Sequence, residues 1–225
     1  MCGRYALTQP PEELHRLFAA EGAVPDWQPR YNIAPQTAIL AVRVREGRRE
    51  LASLRWGLVP HWAKDAAIGA KLANARGETV AEKPAFRDAF QRSRCIVPAS
   101  AYYEWQKSGN GKQPYAVRLK DADCFGLAGL WSRWTAPDGT VLDTVALLTT
   151  EPNVLLAGIH DRMPVILAPG DYAAWLTGPA HEAASLIRLF PANRMEAWPV
   201  SPSVGNVRND SERLLQPAPA QAMLI

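Results

Sequence analysis

Apolar and β-branched side chains run or alternate with polar ones over residues 38–45 and again over 50–56, on either side of Glu46-Gly47-Arg48. That pattern predicts two strands joined as a hairpin. Strand patterns recur at 94–98, 101–107, 113–119, 124–134, 140–150, 165–168 and 195–200, and several meet at turn signals, Ser108-Gly109-Asn110-Gly111 and Ala136-Pro137-Asp138-Gly139 among them. Helical signals are fewer. Thr8-Gln9-Pro10-Pro11-Glu12-Glu13 supplies a capping hydroxyl, early prolines and acids in the first turn, and Leu14, Leu17 and Phe18 then share a face until Gly22. Further helices are expected from Asn74 to Lys83, over 85–91, 171–176 and 180–189, with one or two helical turns at 154–158. Tyr31-Asn32-Ile33-Ala34-Pro35, after a Pro-containing link over 24–30, is expected to be extended. Strands outnumber helices and are mostly joined by turns. The prediction is an α+β fold, a single domain with a curved, mainly antiparallel sheet or barrel-like core and flanking helices. The domain is expected over residues 2–208, with a Pro/Ala-rich tail, 209–225, that frays.

Composition changes this picture little. The 225 residues are 48% hydrophobic and 21% charged, as in an ordinary soluble domain, and a net charge of +3 permits a polyanionic partner without requiring one. Five arginines between Arg43 and Arg55 form either a basic stripe or a solvated hairpin. Three cysteines, Cys2, Cys95 and Cys124, without a C-x-x-C spacing, point to a reducing compartment and away from a disulfide frame. No apolar run approaches roughly 18 residues and no signal segment is evident, so a cytoplasmic protein is expected, with no membrane partner. The four histidines, His15, His61, His160 and His181, lack zinc-ligand spacing; no metal and no cofactor are expected. Phosphate-loop, dinucleotide and nucleophile-elbow motifs are missing.

Four polar residues stand in apolar surroundings: Cys2, Asn74, Glu104 and His160. Cys2 becomes the N-terminus if Met1 is removed, and then carries a free amine and a thiol on one residue. Those groups titrate ordinarily near 8 and about 8.5, so both nucleophiles are accessible close to neutral pH. An aldehyde would condense with the amine, and the thiol would close a five-membered thiazolidine on the imine carbon. Glu104, in Ala101-Tyr102-Tyr103-Glu104-Trp105, would have its pKa raised if buried, which suits proton transfer; strand alternation equally allows the solvent face. His160 reads either as an acid–base group or as a hydrogen-bonded structural histidine. Asn74 could cap a helix, and Arg76 could be a surface charge or a phosphate fork. Trp56 is expected in the core, and Trp62, beside His61 and Lys64, is either a core plug or a stacking platform.

Seven segments occur in order: Met1-Cys2-Gly3-Arg4-Tyr5, Tyr31-Asn32-Ile33-Ala34-Pro35, Arg55-Trp56-Gly57-Leu58-Val59-Pro60-His61-Trp62, Asn74-Ala75-Arg76-Gly77-Glu78-Thr79, Tyr103-Glu104-Trp105, Ile159-His160-Asp161-Arg162-Met163-Pro164 and Val204-Gly205-Asn206-Val207. Together they resemble the SOS response-associated peptidase (SRAP) family of abasic-site processing proteins. The resemblance runs from Cys2 to about Val207. It implies a monomeric, cytoplasmic, nucleoid-associated enzyme that binds single-stranded DNA and captures abasic sites as a covalent thiazolidine cross-link, shielding them from strand cleavage. In that pattern Cys2 is the nucleophile, Asn74 holds the N-terminus or sugar, Glu104 shuttles protons and His160 assists sugar-ring opening. Arg4, Arg76 and Arg162 would meet phosphates and Trp62 would stack on bases. The family name also implies a peptidase, since Cys2 could release Met1 autocatalytically. An abasic-site lyase, a thiol peptidase and a non-covalent single-strand binder are the competing readings.

Overall fold

The predicted hairpin is part of a closed sheet. This computed structural model describes residues 2–24, 27–109 and 111–218; Met1, Pro25 and Asp26 in the expected link, Asn110 in the expected turn and residues 219–225 lie outside them. Among the described residues the strands are β1 (Arg4–Leu7), β2 (Arg30–Ile33), β3 (Ala38–Arg45), β4 (Arg48–Trp56), β5 (Asn74–Arg76), β6 (Arg94–Ala99), β7 (Ala101–Ser108), β8 (Gly111–Leu119), β9 (Phe125–Thr135), β10 (Val141–Thr150), β11 (Met163–Pro164), β12 (Ile166–Leu167) and β13 (Met195–Pro199). Glu46 and Gly47 take φ of +51° and +76° and turn β3 into β4, the left-handed pair a two-residue hairpin needs. β3 also pairs with β6, β6 with β9, β9 with β10, and β10 with β4, so these five strands close a ring. Between the named strands only the β10–β4 and β10–β5 pairings are parallel among the described residues, and an isolated parallel bridge joins Glu21 to Glu50 of β4. The second sheet is open, in the order β13-β8-β7-β1-β2.

Both faces of the open sheet are covered. Tyr5 and Tyr102 face the main core, where the Tyr5 ring meets Trp56 of β4 edge-on at 5.6 Å. Ala6, Ala101, Tyr103 and Ala116 face the opposite way and are covered by Val200, Val204 and Leu214. Residues 209–218, expected to fray, are therefore packed: Trp198 Nε1 donates to Leu215 O at 2.9 Å and Ala218 N to Pro199 O at 2.8 Å. Burying Leu214 holds this segment to the domain.

The helices are short: α1 (Pro11–Phe18), α2 (Arg87–Arg92), α3 (Tyr172–Thr177) and α4 (Ala180–Ser185). α4 ends before the expected Leu189. The buried Arg94 guanidinium donates to carbonyl oxygens of Phe90 and Gln91 in α2 and of Trp175 and Gly178 at α3, and so caps two helix ends at once. The expected helix from Asn74 does not form. Residues 74–76 are the strand β5, followed by a 3-10 turn at Gly77–Thr79, because they add to the edge of β10 in register with Leu147–Thr149. Pairing against an existing strand outweighs a weak helical signal.

Candidate active site

Cys2 leads directly into β1, which runs antiparallel to β7 with Arg4 opposite Tyr103 and Tyr5 opposite Tyr102. Continuing that register places Gly3 opposite Glu104. Strand alternation puts Glu104 on the same face as Tyr102, toward the main core, and settles the choice the sequence left open. Cys2 is fully buried and Glu104 is 1% exposed.

β5 brings Asn74 to the same point, where its Nδ2 donates to Cys2 O at 3.0 Å. The residue before it is pinned twice, since Ala73 O accepts from Trp56 Nε1 at 2.8 Å and from Leu147 N at 3.0 Å. Asn74 Oδ1 is buried with no hydrogen-bond partner among the described residues. His160 ends a turn begun by Asn153, whose Oδ1 accepts from Leu155 N and Leu156 N. Its Nε2 lies 3.8 Å from Glu104 Oε2. Nδ1 accepts from Arg162 N at 3.0 Å, and Asp161 Oδ1 is also 3.0 Å away. One nitrogen cannot accept the first and donate to the second. The backbone amide has a fixed proton, so we assign the neutral tautomer with its proton on Nε2, toward Glu104.

Burial dominates the electrostatics. It raises the Glu104 carboxyl to about 7, with Asp161 pushing the same way. It also pushes the Cys2 thiol up, with Glu104 adding to the effect, so the thiol is protonated at neutral pH. Burial lowers the His160 pKa and keeps the ring neutral. The four groups thus join a protonated thiol, a carboxyl poised between its two forms, a neutral imidazole and an amide that orients the terminal backbone. That set can move protons to and from the oxygen of a carbonyl group held at Cys2 and the groups that attack it.

The other predicted residues stand in different circumstances. Arg4 donates to Asn32 Oδ1 at 2.8 Å, Val204 O at 2.7 Å and Gly205 O at 3.1 Å, tying β1 to the C-terminal segment. Arg162 forms a two-pronged pair with Glu78, both bonds 2.8 Å, and donates to Thr149 O. Arg76 is exposed, and its guanidinium makes no hydrogen bond among the described residues. Trp62 is 50% exposed, which excludes the core reading; Trp56 is buried. The arginines of 43–55 form no single stripe: Arg43 is buried against Glu50, Asp143 and the Trp131 ring, while Arg49 and Arg55 bond to Phe18 O and Gln36. Sequence reasoning passed over Asn32, whose Nδ2 donates to the carbonyls of Val204, Asn206 and Asn209. Its signal was an amide fixed inside the Tyr31–Pro35 segment. Among the described residues no group of three or more His, Cys, Asp or Glu is placed to hold a metal, and no helix is long and apolar enough to cross a membrane.

The model of the SOS response associated peptidase (SRAP) family matches residues 1–207. The chain belongs to that family. It is 40% identical over 223 residues to the abasic site processing protein YoqW of Bacillus subtilis, covering 96% of this chain and 99% of that one. Against the abasic site processing protein YedK of Escherichia coli the identity is 33%, over 96% of this chain and all of the relative. The abasic site processing protein HMCES of Gallus gallus is 32% identical, over 96% of this chain and 78% of its own. A crystal structure of a Bacteroides thetaiotaomicron protein superposes with a TM-score of 0.89 at 26% identity, covering 96% of this chain and 100% of that one. The SRAP fold and the quartet at Cys2 therefore occur together in this chain.

Proposed function

We propose that this protein, once Met1 is removed, captures abasic sites in single-stranded DNA as a thiazolidine on Cys2. The observation that carries the reading is the convergence of Asn74, Glu104 and His160 on a buried Cys2. The names of the SRAP relatives support DNA abasic sites as the substrate class. His160, the member of the acid–imidazole pair nearer the surface, assists opening of the deoxyribose ring to its aldehyde. The Cys2 amine then adds to the aldehyde carbon, and Glu104, near its midpoint at neutral pH, takes a proton from the nitrogen and returns one to the departing hydroxyl. One water leaves and an imine forms. The thiol adds to the imine carbon, its proton passing through Glu104 to the nitrogen, and the ring closes. Nothing further is lost. Holding amine, thiol and carbonyl in one place can contribute roughly 7–11 kcal/mol relative to separate reactants. Ring closure also removes the imine that would promote strand elimination. Arg76 and Trp62, exposed beyond the quartet, supply a phosphate contact and a stacking surface; Arg4 and Arg162 reach phosphates only by exchanging present partners. Cys2 releases Met1, or an aminopeptidase does.

Intact-mass analysis with an abasic single-stranded oligonucleotide tests this. The expected product weighs the sum of the Met1-free protein and the oligonucleotide less one water, survives heating, and is lost in Cys2→Ala. Strand scission as the main product, without an adduct, would refute the capture reading in favour of a lyase.

A further inference from the structure

The separation between His160 and Glu104 is not set by either residue. His160 lies on a turn that leads into β11, so the chain beyond it is held by the β10 pairing while the turn itself has no sheet register. Its beginning is anchored by Asn153, whose Nδ2 donates to Phe190 O at 2.8 Å. Its end is tied to β7 by a side chain outside the quartet: Gln106 Nε2 donates to Gly158 O at 2.8 Å. The Gln106 amide is itself oriented, because Oε1 accepts from Tyr115 OH on β8 at 3.2 Å. That bond leaves the NH₂ group aimed at the turn. Gln106 is two residues beyond Glu104 and shares its face of β7, so one strand carries both the carboxyl and the tether for the imidazole.

We propose that Gln106 is a positioning residue: it fixes the 157–160 turn over β7 and thereby sets the distance and burial of the His160 ring against Glu104. This rests on the reading of His160 and Glu104 as the proton-transfer pair. Glu104 on β7 and Asp161 on its own turn lie against the ring, and the terminal amine and Lys107 act on it electrostatically, so displacing the turn changes both its solvation and its charged neighbours. A misplacement on the order of 1 Å at a reacting group can slow a reaction by up to roughly 10²-fold.

The test uses the full chain with Gln106→Met, which keeps the length of the side chain and removes its donor, and Tyr115→Phe, which removes only the bond orienting the amide. His160 is titrated by NMR in each without DNA, and adduct formation is timed on an abasic oligonucleotide. Expected are a His160 titration moved upward as the ring gains water, and a rate about 10- to 100-fold lower in Gln106→Met. Tyr115→Phe should move both in the same direction by less. A His160 titration unchanged in Gln106→Met overturns the proposal, as does a lowered melting temperature with the titration unmoved, which marks a merely structural bond. The titration decides even if the wild-type protein forms no adduct, a result that would instead refute the capture reading.

Discussion

Replacing Glu104 by Gln removes the titrating group while keeping its shape, and the structure fixes the sign of the effect. Burial raises the carboxyl from its ordinary 4.5 to about 7. At about 1.4 kcal/mol per pH unit, that corresponds to a penalty of roughly 3 kcal/mol for ionising it inside the fold. Below pH 4.5 the carboxyl is protonated folded and unfolded, and there is no penalty. Between 4.5 and 7 the folded state holds the proton that the unfolded chain has released, so stability falls as pH rises. Above 7 the penalty is complete. Wild-type protein should lose roughly 3 kcal/mol from this source between pH 4.5 and 8, and Glu104→Gln should not. His160, whose pKa is held below its usual value, has the opposite sign and loses stability as pH falls, so wild type and variant are compared at each pH. The assay is urea unfolding at half-unit intervals from pH 4.5 to 8.5. The gap between the two proteins should open toward alkaline pH in favour of the variant. A constant gap across this range would mean that Glu104 ionises without hindrance, and the proton-shuttle argument would fail with it. Adduct formation by the variant should be slower by about 10²- to 10⁴-fold, the usual scale for loss of a general acid–base group.

Asn32→Ala removes three donations to the 204–209 backbone and the acceptor for Arg4. Chemical denaturation should show a loss of roughly 2–4 kcal/mol, with limited proteolysis cutting first near residues 200–218. Gly57→Ala places a methyl group 2.5 Å from Gly69 O at a φ of +133°, and should cost about 3 kcal/mol or prevent folding; a melting temperature within a few degrees of wild type would contradict so close an approach. Trp62→Ala should leave stability within about 0.5 kcal/mol and weaken single-strand binding, measured by fluorescence anisotropy, by roughly 1–3 kcal/mol. Arg76→Ala should lower the magnitude of the salt-dependence slope of that binding by about one, whereas an unchanged slope would remove Arg76 from the phosphate contacts.

The strands were legible because their period and turn residues are local, and the β3–β4 hairpin lies where its pattern put it. The family was legible through short segments in a fixed order. What local pattern could not supply was the partner of each segment. Residues 74–76 carry a helix-like start, yet become a strand because β10 offers them an edge from more than seventy residues away. Alternation on β7 identified two faces but not which one was wet; neither is, because the 200–218 segment covers the outer one. The same segment explains Arg4. A guanidinium two residues from Cys2 reads as an anion site until Asn32, Val204 and Gly205 are found to hold it.

Burial of the site looks at first like an obstacle, since a desolvated thiol is a poor nucleophile until it loses its proton. Glu104, whose charge acts on the Cys2 thiol, is buried with it, and desolvation raises an acid of either kind. Burying the thiol beside an ordinary exposed carboxylate would widen the gap between their proton affinities and make transfer uphill. Raising Glu104 to about 7 recovers part of that gap while leaving a substantial ionised fraction at neutral pH. The neutral His160, with its Nε2 proton directed at the carboxyl, can then stabilise the ionised form without a competing charge. A protein that bound aldehydes only through an exposed terminal amine would need none of this arrangement. Under the proposed capture, the cost that Glu104 imposes on stability would be offset by proton transfer to and from Cys2, and the Glu104→Gln comparison reads both.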